Sequence, residues 1–343
     1  MTCDLSIIIP AYRVDLVLFK RCLESIFSQN LDGIDYEVFV VLDGEDENRE
    51  LLNSGLLRNS HLRYEIRSHG GEAAARNFGM QFALGEWFLF VDADDYLADD
   101  AISKFMQIIK NNPAVDMVVS NHARVTGHRT VPIIHYGQVQ KWESNSVDYL
   151  GDVLSVGSDQ GTVWSKLFRT DFVKRSGELF DCSLVNGVDQ EFMTRLVLRE
   201  PIIYAIPDVT YGYVYNPSSV VRRFDSGYAD KVFKTLEKVS ADISAAGLAQ
   251  HFSQVYEAYC CDRLLLLIMN YICNPNAELS YTQRRGLFNE VVGREPIASA
   301  LKNSDLSKMS RARQIMLHFA RGMNFSVVAF IASVRNIQRK ILM

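Results

Sequence analysis

The clearest chemical signal in the sequence is the run Asp92-Ala93-Asp94-Asp95, which directly follows the apolar segment 87–91. Three carboxylates within four residues repel one another, so they are costly at the end of a buried strand unless a cation compensates them. In an extended chain Asp92 and Asp94 point to the same side. This arrangement suits Mg²⁺ or Mn²⁺, which prefer carboxylate oxygens and can also hold a diphosphate. The alternative is a helix N-cap cluster that uses Asp94 or Asp95.

A second acidic pair, Asp189 and Glu191, stands at the start of a helical pattern. Residues two positions apart do not share a helix face. One carboxylate can therefore face a cleft while the other caps the helix or forms an ion pair. The alternative is a capped surface helix.

Two glycine-containing turns add candidates for binding a nucleotide. Asp43-Gly44 follows the apolar segment 36–42, where a carboxylate could accept a hydrogen bond from a base or a ribose; an ordinary Asp-Gly turn is the alternative. Gly70-Gly71 precedes a helical pattern that carries Arg76, and glycine before a helix allows a phosphate to approach closely. Arg76 could equally be a surface or structural arginine.

Short apolar segments alternate with helical patterns over residues 1–120. The predicted strands are 5–10, 36–42, 62–67, 87–91 and 116–120. Strands that are apolar on both faces and joined by helices indicate an α/β fold with a mainly parallel sheet covered on both sides. Such sheets bind ligands beyond the carboxyl ends of their strands, where the acidic residues above are found.

The rest of the chain divides into two regions. Residues 121–225 are less regular, and residues 226–343 have helical patterns throughout. The first region carries several aromatic residues: Trp142, Trp164, Tyr211, Tyr213 and Tyr215. We therefore expect a domain over 1–225, in two parts (1–120 and 121–225), and a helical region over 226–343.

Several classes of protein are disfavoured. The turn after the first strand lacks G-x-G-x-x-G, and the chain has no GxxxxGK[ST] loop. These absences argue against the usual NAD-linked enzymes and against P-loop ATPases. The net charge of −5 disfavours nucleic-acid binding.

Composition and cysteine usage indicate an ordinary globular protein. The 343 residues are 48% hydrophobic and 22% charged, which excludes a disordered or collagen-like chain. The six cysteines have no CxxC spacing, and no basic region precedes an apolar stretch at the N-terminus. We expect reduced thiols and a cytoplasmic protein.

The C-terminal segment differs from the rest in charge. Residues 302–343 hold eight Lys/Arg and one acid, whereas the remainder carries a net charge of −12. Six apolar residues fall on one helical face: Val327, Phe330, Ile331, Val334, Ile337 and Ile341. A basic amphipathic helix of this kind can lie on the inner face of the plasma membrane, with 307–343 as the contact; the alternative is a terminal helix packed on its domain. Helices in 226–343 could also pair two subunits into a homodimer.

The order of motifs resembles that of the family 2 glycosyltransferases with the GT-A fold, over about residues 5–222. The motifs are IIIPAY, LDG, GGxxxARNxG, VDADD and VDQEF, followed by VWSKLF and a YxY…SxxR ending. The resemblance implies an inverting, metal-dependent enzyme that uses a nucleotide sugar. It also implies a catalytic domain over 1–225, with a nucleotide-binding half (1–120) and an acceptor half (121–225). The aromatic residues of the acceptor half could stack on sugars or simply fill the core. The resemblance also implies, by analogy, a glycan or lipid-linked glycan acceptor of the bacterial surface, such as a capsule or O-antigen.

The resemblance carries roles onto individual residues. The implied nucleotide-sugar contacts are Pro10, Ala11, Tyr12, Asp43, Arg76, Asp92, Ala93 and Arg222. In the family, residues matching 10–12 pack on the uridine, Asp43 matches an acid that reads the base, and Arg222 could meet the diphosphate. Asp94 and Asp92 match the metal-binding pair, with Mn²⁺ or Mg²⁺ as the cofactor. Asp189 matches the general base.

Four positions depart from the family pattern. Arg13 replaces an asparagine, and Leu42 replaces one aspartate of an Asp-Asp pair. Ser68-His69 stands where the family has an asparagine before the glycine loop, and Val188 replaces a glutamate. These changes concern recognition of the base and donor, and they leave the metal pair and the general base in place.

Two other functions fit parts of the pattern. A nucleotidyltransferase also uses paired carboxylates and a metal, but this sequence lacks a basic, glycine-rich triphosphate loop in its first βα turn. A non-catalytic module that binds nucleotide sugars would not need Asp92, Asp94 and Asp189 together.

Overall fold

The structure is a computed structural model that describes residues 3–31, 33–127, 129–155, 158–215 and 225–341, without the side chains of 308 and 337–341. Its strands are β1 (Cys3–Ala11), β2 (Tyr36–Asp43), β3 (Leu62–Arg67), β4 (Gly85–Phe90), β5 (Tyr96–Leu97), β6 (Met117–Thr126), β7 (Arg129–Ile133), β8 (Gln140–Trp142), β9 (Lys166–Arg169) and β10 (Ile203–Val214).

The helices alternate with the first strands and then continue to the C-terminus. They are α1 (Leu16–Phe27), α2 (Arg49–Ser54), α3 (Glu72–Phe82), α4 (Ala101–Asn111), α5 (Leu150–Val153), α6 (Thr170–Ser176), α7 (Val188–Val197), α8 (Tyr228–Ala245), α9 (Ser253–Leu267), α10 (Tyr281–Gly293), α11 (Ile297–Asn303), α12 (Arg311–Arg321) and α13 (Phe325–Ile341). The predicted α/β fold with a helical C-terminal region is confirmed.

One sheet has the strand order β3-β2-β1-β4-β9-β6-β10-β5, with β7 on β6 and β8 on β10. Its first four strands are parallel, and so is the pair β6–β10. By contrast, β9 is antiparallel to both β4 and β6. The sequence did not indicate this reversal, because an apolar pattern carries no information on strand direction.

The parallel strands are apolar on both faces because helices cover both. On one face Ile7, Ile9 and Val38 belong to the same core cluster as Phe19 and Leu23 of α1. On the other face α3 packs so closely that a Cβ added at Gly79 would collide with the Ile8 side chain. Because β1, β2, β3 and β4 run parallel, their carboxyl ends lie at one edge of the sheet.

Contacts divide the chain into two compact units. Unit 1 comprises residues 1–150, 162–183 and 195–216; unit 2 comprises 151–161, 184–194 and 217–343. The domain boundary at residue 225 stays a prediction. Within unit 2, the core includes Phe233 of α8, Cys260 and Leu264 of α9 and Phe288 of α10. All six cysteines are unpaired.

Among the described residues, no helix combines the length and the apolar character that crossing a bilayer requires.

Candidate active site

The ends of β1 and β2 form the first part of the site. Ala11 is paired with Leu42 across the two strands. The Asn48 side-chain amide donates to the carbonyl oxygens of Ala11 (3.3 Å) and Gly44 (2.7 Å), which ties the two strand ends together. Pro10 is half-buried and Tyr12 is exposed at the same edge. The structure thus brings the predicted residues 10–12 and Asp43 to one place.

Asp43 is buried and holds the glycine loop. Its Oδ1 accepts a hydrogen bond from the Gly70 amide at 2.7 Å, and its Oδ2 accepts one from the Gly71 amide at 2.9 Å. His69 Nδ1 lies 2.7 Å from the same Oδ2. Gly71 has φ of +85°, which disfavours other residues, and α3 begins at the next residue. Asp43 therefore fixes the loop from which α3 starts.

His69 also contacts Tyr12. Their rings are stacked with centroids 4.6 Å apart and an angle of 18° between the planes. The Arg13 guanidinium lies 5.1 Å from the Tyr12 ring centre. About half of the His69 side chain is exposed, so part of the imidazole is accessible to a ligand. Two of the departures from the family pattern, Arg13 and His69, thus both lie against the Tyr12 ring.

Arg76 connects the glycine loop to the acidic run. It lies on α3, is almost completely buried, and pairs with Asp92 Oδ1 at 2.9 Å and with Glu72 at 2.6 Å. Its guanidinium also faces the rings of Phe90 and Phe180, at 5.7 and 5.6 Å. The buried ion pair shows that Arg76 orients Asp92, and a contact of Arg76 with the nucleotide stays a prediction.

The acidic run forms a tight turn after β4, because the Asp95 amide donates to the Asp92 carbonyl at 3.0 Å. Arg21 of α1 donates to the Asp94 carbonyl at 2.9 Å. Asp92, Ala93 and Asp94 remain partly exposed, whereas Asp95 is buried. The helix that follows, α4, begins only at Ala101 and has Asp100 at its N-cap. The carboxylates are therefore not the N-cap cluster considered from the sequence.

Asp95 is anchored by β10. The Tyr211 hydroxyl donates to Asp95 Oδ2 at 2.8 Å and accepts from the Asp92 amide at 3.0 Å. The Val214 amide donates to Asp95 Oδ1 at 2.7 Å. Tyr211 is fully buried and stacked on Trp164, with centroids 5.0 Å apart. Tyr211 is therefore part of the core and supports the loop, so it is not available to stack on a sugar.

The turn concentrates negative charge. Burial, together with the nearby Asp92 and Asp94 charges, raises the pKa of Asp95 well above its usual value. Burial and then the charges of Asp95 and Asp92 likewise raise the pKa of the Tyr211 hydroxyl. Three carboxylates lie close together in this turn, so positive charge beside them would stabilise their ionised forms.

The carboxylate oxygens of Asp92 and Asp94 fit a hard divalent cation that the protein encloses only in part. In the part of the chain that the structure describes, no three His, Cys, Asp or Glu side chains are grouped closely enough to surround a metal ion. Mg²⁺ is commonly held by one or two carboxylates together with substrate phosphates, and Mn²⁺ takes the same oxygen ligands. Asp94 and Asp92 supply such a pair of carboxylates.

Asp189 lies in the first turn of α7, within unit 2, and is half-buried. Two residues on, Glu191 is fully buried, and its Oε1 lies 3.8 Å from Lys238 Nζ. The two carboxylates thus differ, as their spacing predicted: Glu191 is in an ion pair and Asp189 is partly accessible. Arg222, the remaining candidate, lies outside the described residues.

Sequence reasoning missed two functions in this site. The sequence indicates Asp95 as one of three clustered carboxylates or as a helix cap, and Tyr211 as a core or sugar-stacking residue; it does not indicate that either one holds the turn. The available signal for a buried anchor was the third carboxylate directly after the Asp92/Asp94 pair. A metal held by two carboxylates does not require a third one. Its partner Tyr211 could not be found, because the two residues are 116 positions apart.

Comparison with protein families identifies the domain formed by the first half of the chain. Residues 6–163 match the sequence model of Glycosyl transferase family 2. The chain carries a family 2 glycosyltransferase domain. Glycosyltransferase activity follows from this domain and from relatives that are themselves glycosyltransferases.

Two relatives of this glycosyltransferase illustrate its range. Glycosyltransferase EpsJ of Bacillus subtilis (strain 168), described as uncharacterized, is 22% identical over 91% of this chain and 90% of its own length. The poly(ribitol-phosphate) beta-N-acetylglucosaminyltransferase TarP of Staphylococcus aureus (strain N315) is 25% identical over 62% of each chain.

A solved structure resembles the glycosyltransferase along almost its whole length. Residues 1–349 of S. aureus TarS, crystallised with UDP-GlcNAc, superpose with a TM-score of 0.68 at 18% identity. The match covers 98% of this chain and 92% of the TarS chain. It confirms the expected GT-A fold.

Proposed function

We propose that this glycosyltransferase moves a sugar from a UDP-sugar to a hydroxyl group of a glycan or lipid-linked glycan. The reaction is a single, metal-dependent displacement that inverts the anomeric centre. The observation that carries the proposal is the fixed turn Asp92–Asp95. It presents Asp92 and Asp94 at the end of β4, on the same sheet edge as Asp43 and the glycine loop.

The nucleotide end of the donor is assigned to the edge formed by β1 and β2. Tyr12 offers an exposed aromatic ring, Asp43 and His69 offer hydrogen-bonding groups, and the glycine loop leads into the N-terminus of α3. A helix N-terminus preceded by glycine favours an anionic group. UDP as the nucleotide is supported by the TarS structures in complex with UDP-GlcNAc and with UDP.

Asp94 and Asp92 hold the metal in this proposal. A bound Mn²⁺ or Mg²⁺ supplies charge neutralisation for the departing diphosphate. The chain's own contribution is to fix the carboxylates: Arg76 orients Asp92, Arg21 fixes the Asp94 carbonyl, and Tyr211 and Val214 hold Asp95. Asp94 is the direct ligand in this proposal, as the match to the family's metal-binding pair implies, and Asp92 contacts the ribose or the metal.

Asp189 accepts the proton of the acceptor hydroxyl in this proposal. It lies in the first turn of a helix and is half-buried, which leaves its carboxylate partly accessible. General-base catalysis of this kind contributes roughly 10²–10⁴ in rate. Inversion is supported by the name of TarP, which specifies a β-linked product, since one in-line displacement turns an α-linked donor into a β-linked product.

The acceptor is a hydroxyl-bearing polymer of the bacterial surface. TarP carries poly(ribitol-phosphate) in its name, and this relative covers 62% of the present chain. Tyr213 and Trp142 are aromatic residues of the 121–225 region that remain partly exposed and could contact acceptor sugars. Tyr211 and Trp164 are excluded from this role because they are buried.

Release of UDP tests the proposal. The purified chain is incubated with UDP-N-acetylglucosamine, UDP-glucose, GDP-mannose or dTDP-glucose, and the free nucleotide is measured with Mn²⁺ and again with EDTA. We expect slow release of UDP from one or both UDP-sugars, abolished by EDTA and restored by excess Mn²⁺. Release that EDTA leaves unchanged would contradict the metal assignment. Release from the GDP- or dTDP-sugar alone would contradict the donor assignment.

A further inference from the structure

Helix α13 is apolar on two sides. Phe325, Val328 and Ala332 are buried and face the other helices of unit 2. Phe325 packs against the rings of Tyr281 and Phe288 of α10, at 5.2 and 5.3 Å, and the Ser326 and Tyr281 hydroxyls lie 2.8 Å apart. This side fixes the helix on unit 2.

The second apolar side consists of Val327, Phe330, Ile331 and Val334, which we call the outer face. The spacing of three, four and seven residues places all four on one stripe of the helix, away from the buried residues. Phe330 is 69% exposed and Val334 is 39% exposed, while Val327 and Ile331 are partly buried. A surface helix normally has one apolar stripe, so the outer face indicates a binding surface.

Further apolar side chains are exposed nearby in the chain. Ile315 on α12 is 50% exposed, and Met323, between α12 and α13, is 48% exposed. Helices α12 and α13 contact each other directly. Four exposed apolar residues thus lie within 311–341: Ile315, Met323, Phe330 and Val334.

Charge identifies the partner. Residues 306–343 contain seven Lys/Arg and no Asp or Glu, whereas the rest of the chain carries a net charge of −12. A second copy of this chain would bring the same basic segment to the contact, and like charges would repel. An anionic lipid surface has the opposite charge and accepts an apolar stripe below its headgroups.

We propose that the outer face of α13 docks on the surface of a bilayer containing anionic phospholipid. Phe330 enters the boundary between headgroups and acyl chains, and the net positive charge of residues 306–343 attracts the lipid phosphates. In this proposal the helix lies along the membrane surface. This docking does not depend on sugar transfer, because it requires neither donor nor metal.

Vesicle sedimentation of the full chain tests the docking. The probes are sucrose-loaded vesicles of phosphatidylcholine alone and of phosphatidylcholine mixed with phosphatidylglycerol. We expect binding to the mixed vesicles only, weakening as salt is raised. Phe330→Ser should lower the partition coefficient about tenfold, because burial of one Phe side chain is worth at least that factor.

Leu84→Ser is the matched control, since Leu84 is 67% exposed in unit 1 and lies outside the outer face. It should bind vesicles as the wild type does. Because Phe330 is mostly exposed, Phe330→Ser should keep the wild-type melting temperature, which separates loss of docking from unfolding. Asp94→Asn should also bind normally, which separates docking from the proposed transfer reaction.

Two results would overturn the proposal. One is equal binding to neutral and anionic vesicles that Phe330→Ser leaves unchanged. The other is absence of vesicle binding together with a dimer in light scattering that Phe330→Ser dissociates, which would make a second copy the partner of the outer face.

Discussion

The Tyr211 hydroxyl donates to Asp95 Oδ2 at 2.8 Å while accepting from the Asp92 amide at 3.0 Å. One buried phenol therefore bridges the two ends of the turn that carries Asp94. The turn is held from β10, whose own position in the sheet is fixed by pairing with β6. The geometry of the proposed metal site thus depends on a residue that itself is buried away from ligand.

Removing this hydroxyl should loosen the turn. Tyr211→Phe leaves the buried Asp95 oxygen and the Asp92 amide each without one partner, which costs about 1–3 kcal/mol of unfolding free energy. We also expect weaker binding of UDP with Mn²⁺, measured by calorimetry. Tyr64→Phe, at an exposed tyrosine of β3, is the control and should change neither quantity. Unchanged affinity in Tyr211→Phe would show that the turn keeps its geometry without the bridge.

Arg76 and Asp92 should behave as an energetically coupled pair. Their ion pair is 2.9 Å long, and the Arg76 side chain is only 2% exposed, so solvent screens the pair weakly. In a double-mutant cycle with Arg76→Ala and Asp92→Asn, we expect a coupling energy for unfolding of about 0.5–3 kcal/mol. Denaturant titration of the four proteins gives this value. A coupling near zero would mean that Arg76 is held by its aromatic and Glu72 contacts alone.

Asp189 should matter for chemistry and little for binding. Asp189→Asn keeps the size of the side chain but removes the proton acceptor, so transfer should fall by roughly 10²–10⁴ while the Kd for UDP stays the same. Turnover and calorimetric titration measure the two effects separately. Glu191→Gln serves as the comparison, because it removes a buried charge paired with Lys238 and should lower stability instead. Near wild-type turnover in Asp189→Asn would exclude Asp189 as the base.

Glu37 should make stability depend on acid pH. Burial alone would raise its pKa, but hydrogen bonds from Arg63, Ser6 and the Leu84 amide outweigh burial and lower the pKa. A carboxyl whose pKa is lower in the folded state stabilises the fold above its unfolded pKa of about 4.3. That contribution is lost as the pH falls through the folded-state value. Unfolding free energies of Glu37→Gln should therefore decline less than those of the wild type between about pH 5 and pH 3. Parallel curves would contradict this assignment.

The elements of the nucleotide-binding half could be predicted because their signals are local. The segment 62–67 coincides with β3, and the predicted strands near 5–10 and 36–42 lie within β1 and β2. Apolar strands and helical spacing are read from neighbouring residues, so no knowledge of distant contacts is needed.

The parts of the site that were not predictable depend on contacts between distant residues. The Tyr211–Asp95 bridge and the capture of the glycine loop by Asp43 join residues 116 and 27 or 28 positions apart. The sequence identified Asp43 and Arg76 as candidates for contacting the nucleotide. The structure adds that each also holds another part of the site, which neither residue type nor spacing could show.

Thermal stabilisation by UDP is the most direct test of the central claim that Asp94 and Asp92 hold a metal for a UDP-sugar. The melting temperature of the wild type and of Asp94→Asn is measured with UDP alone, Mn²⁺ alone and both together. A ligand at 100 times its Kd adds about 2.7 kcal/mol to the unfolding free energy, which gives a clear shift. We predict a shift for the wild type with UDP and Mn²⁺ together and a much smaller one in Asp94→Asn. Equal shifts in both proteins, or a full shift with UDP alone, would contradict the account.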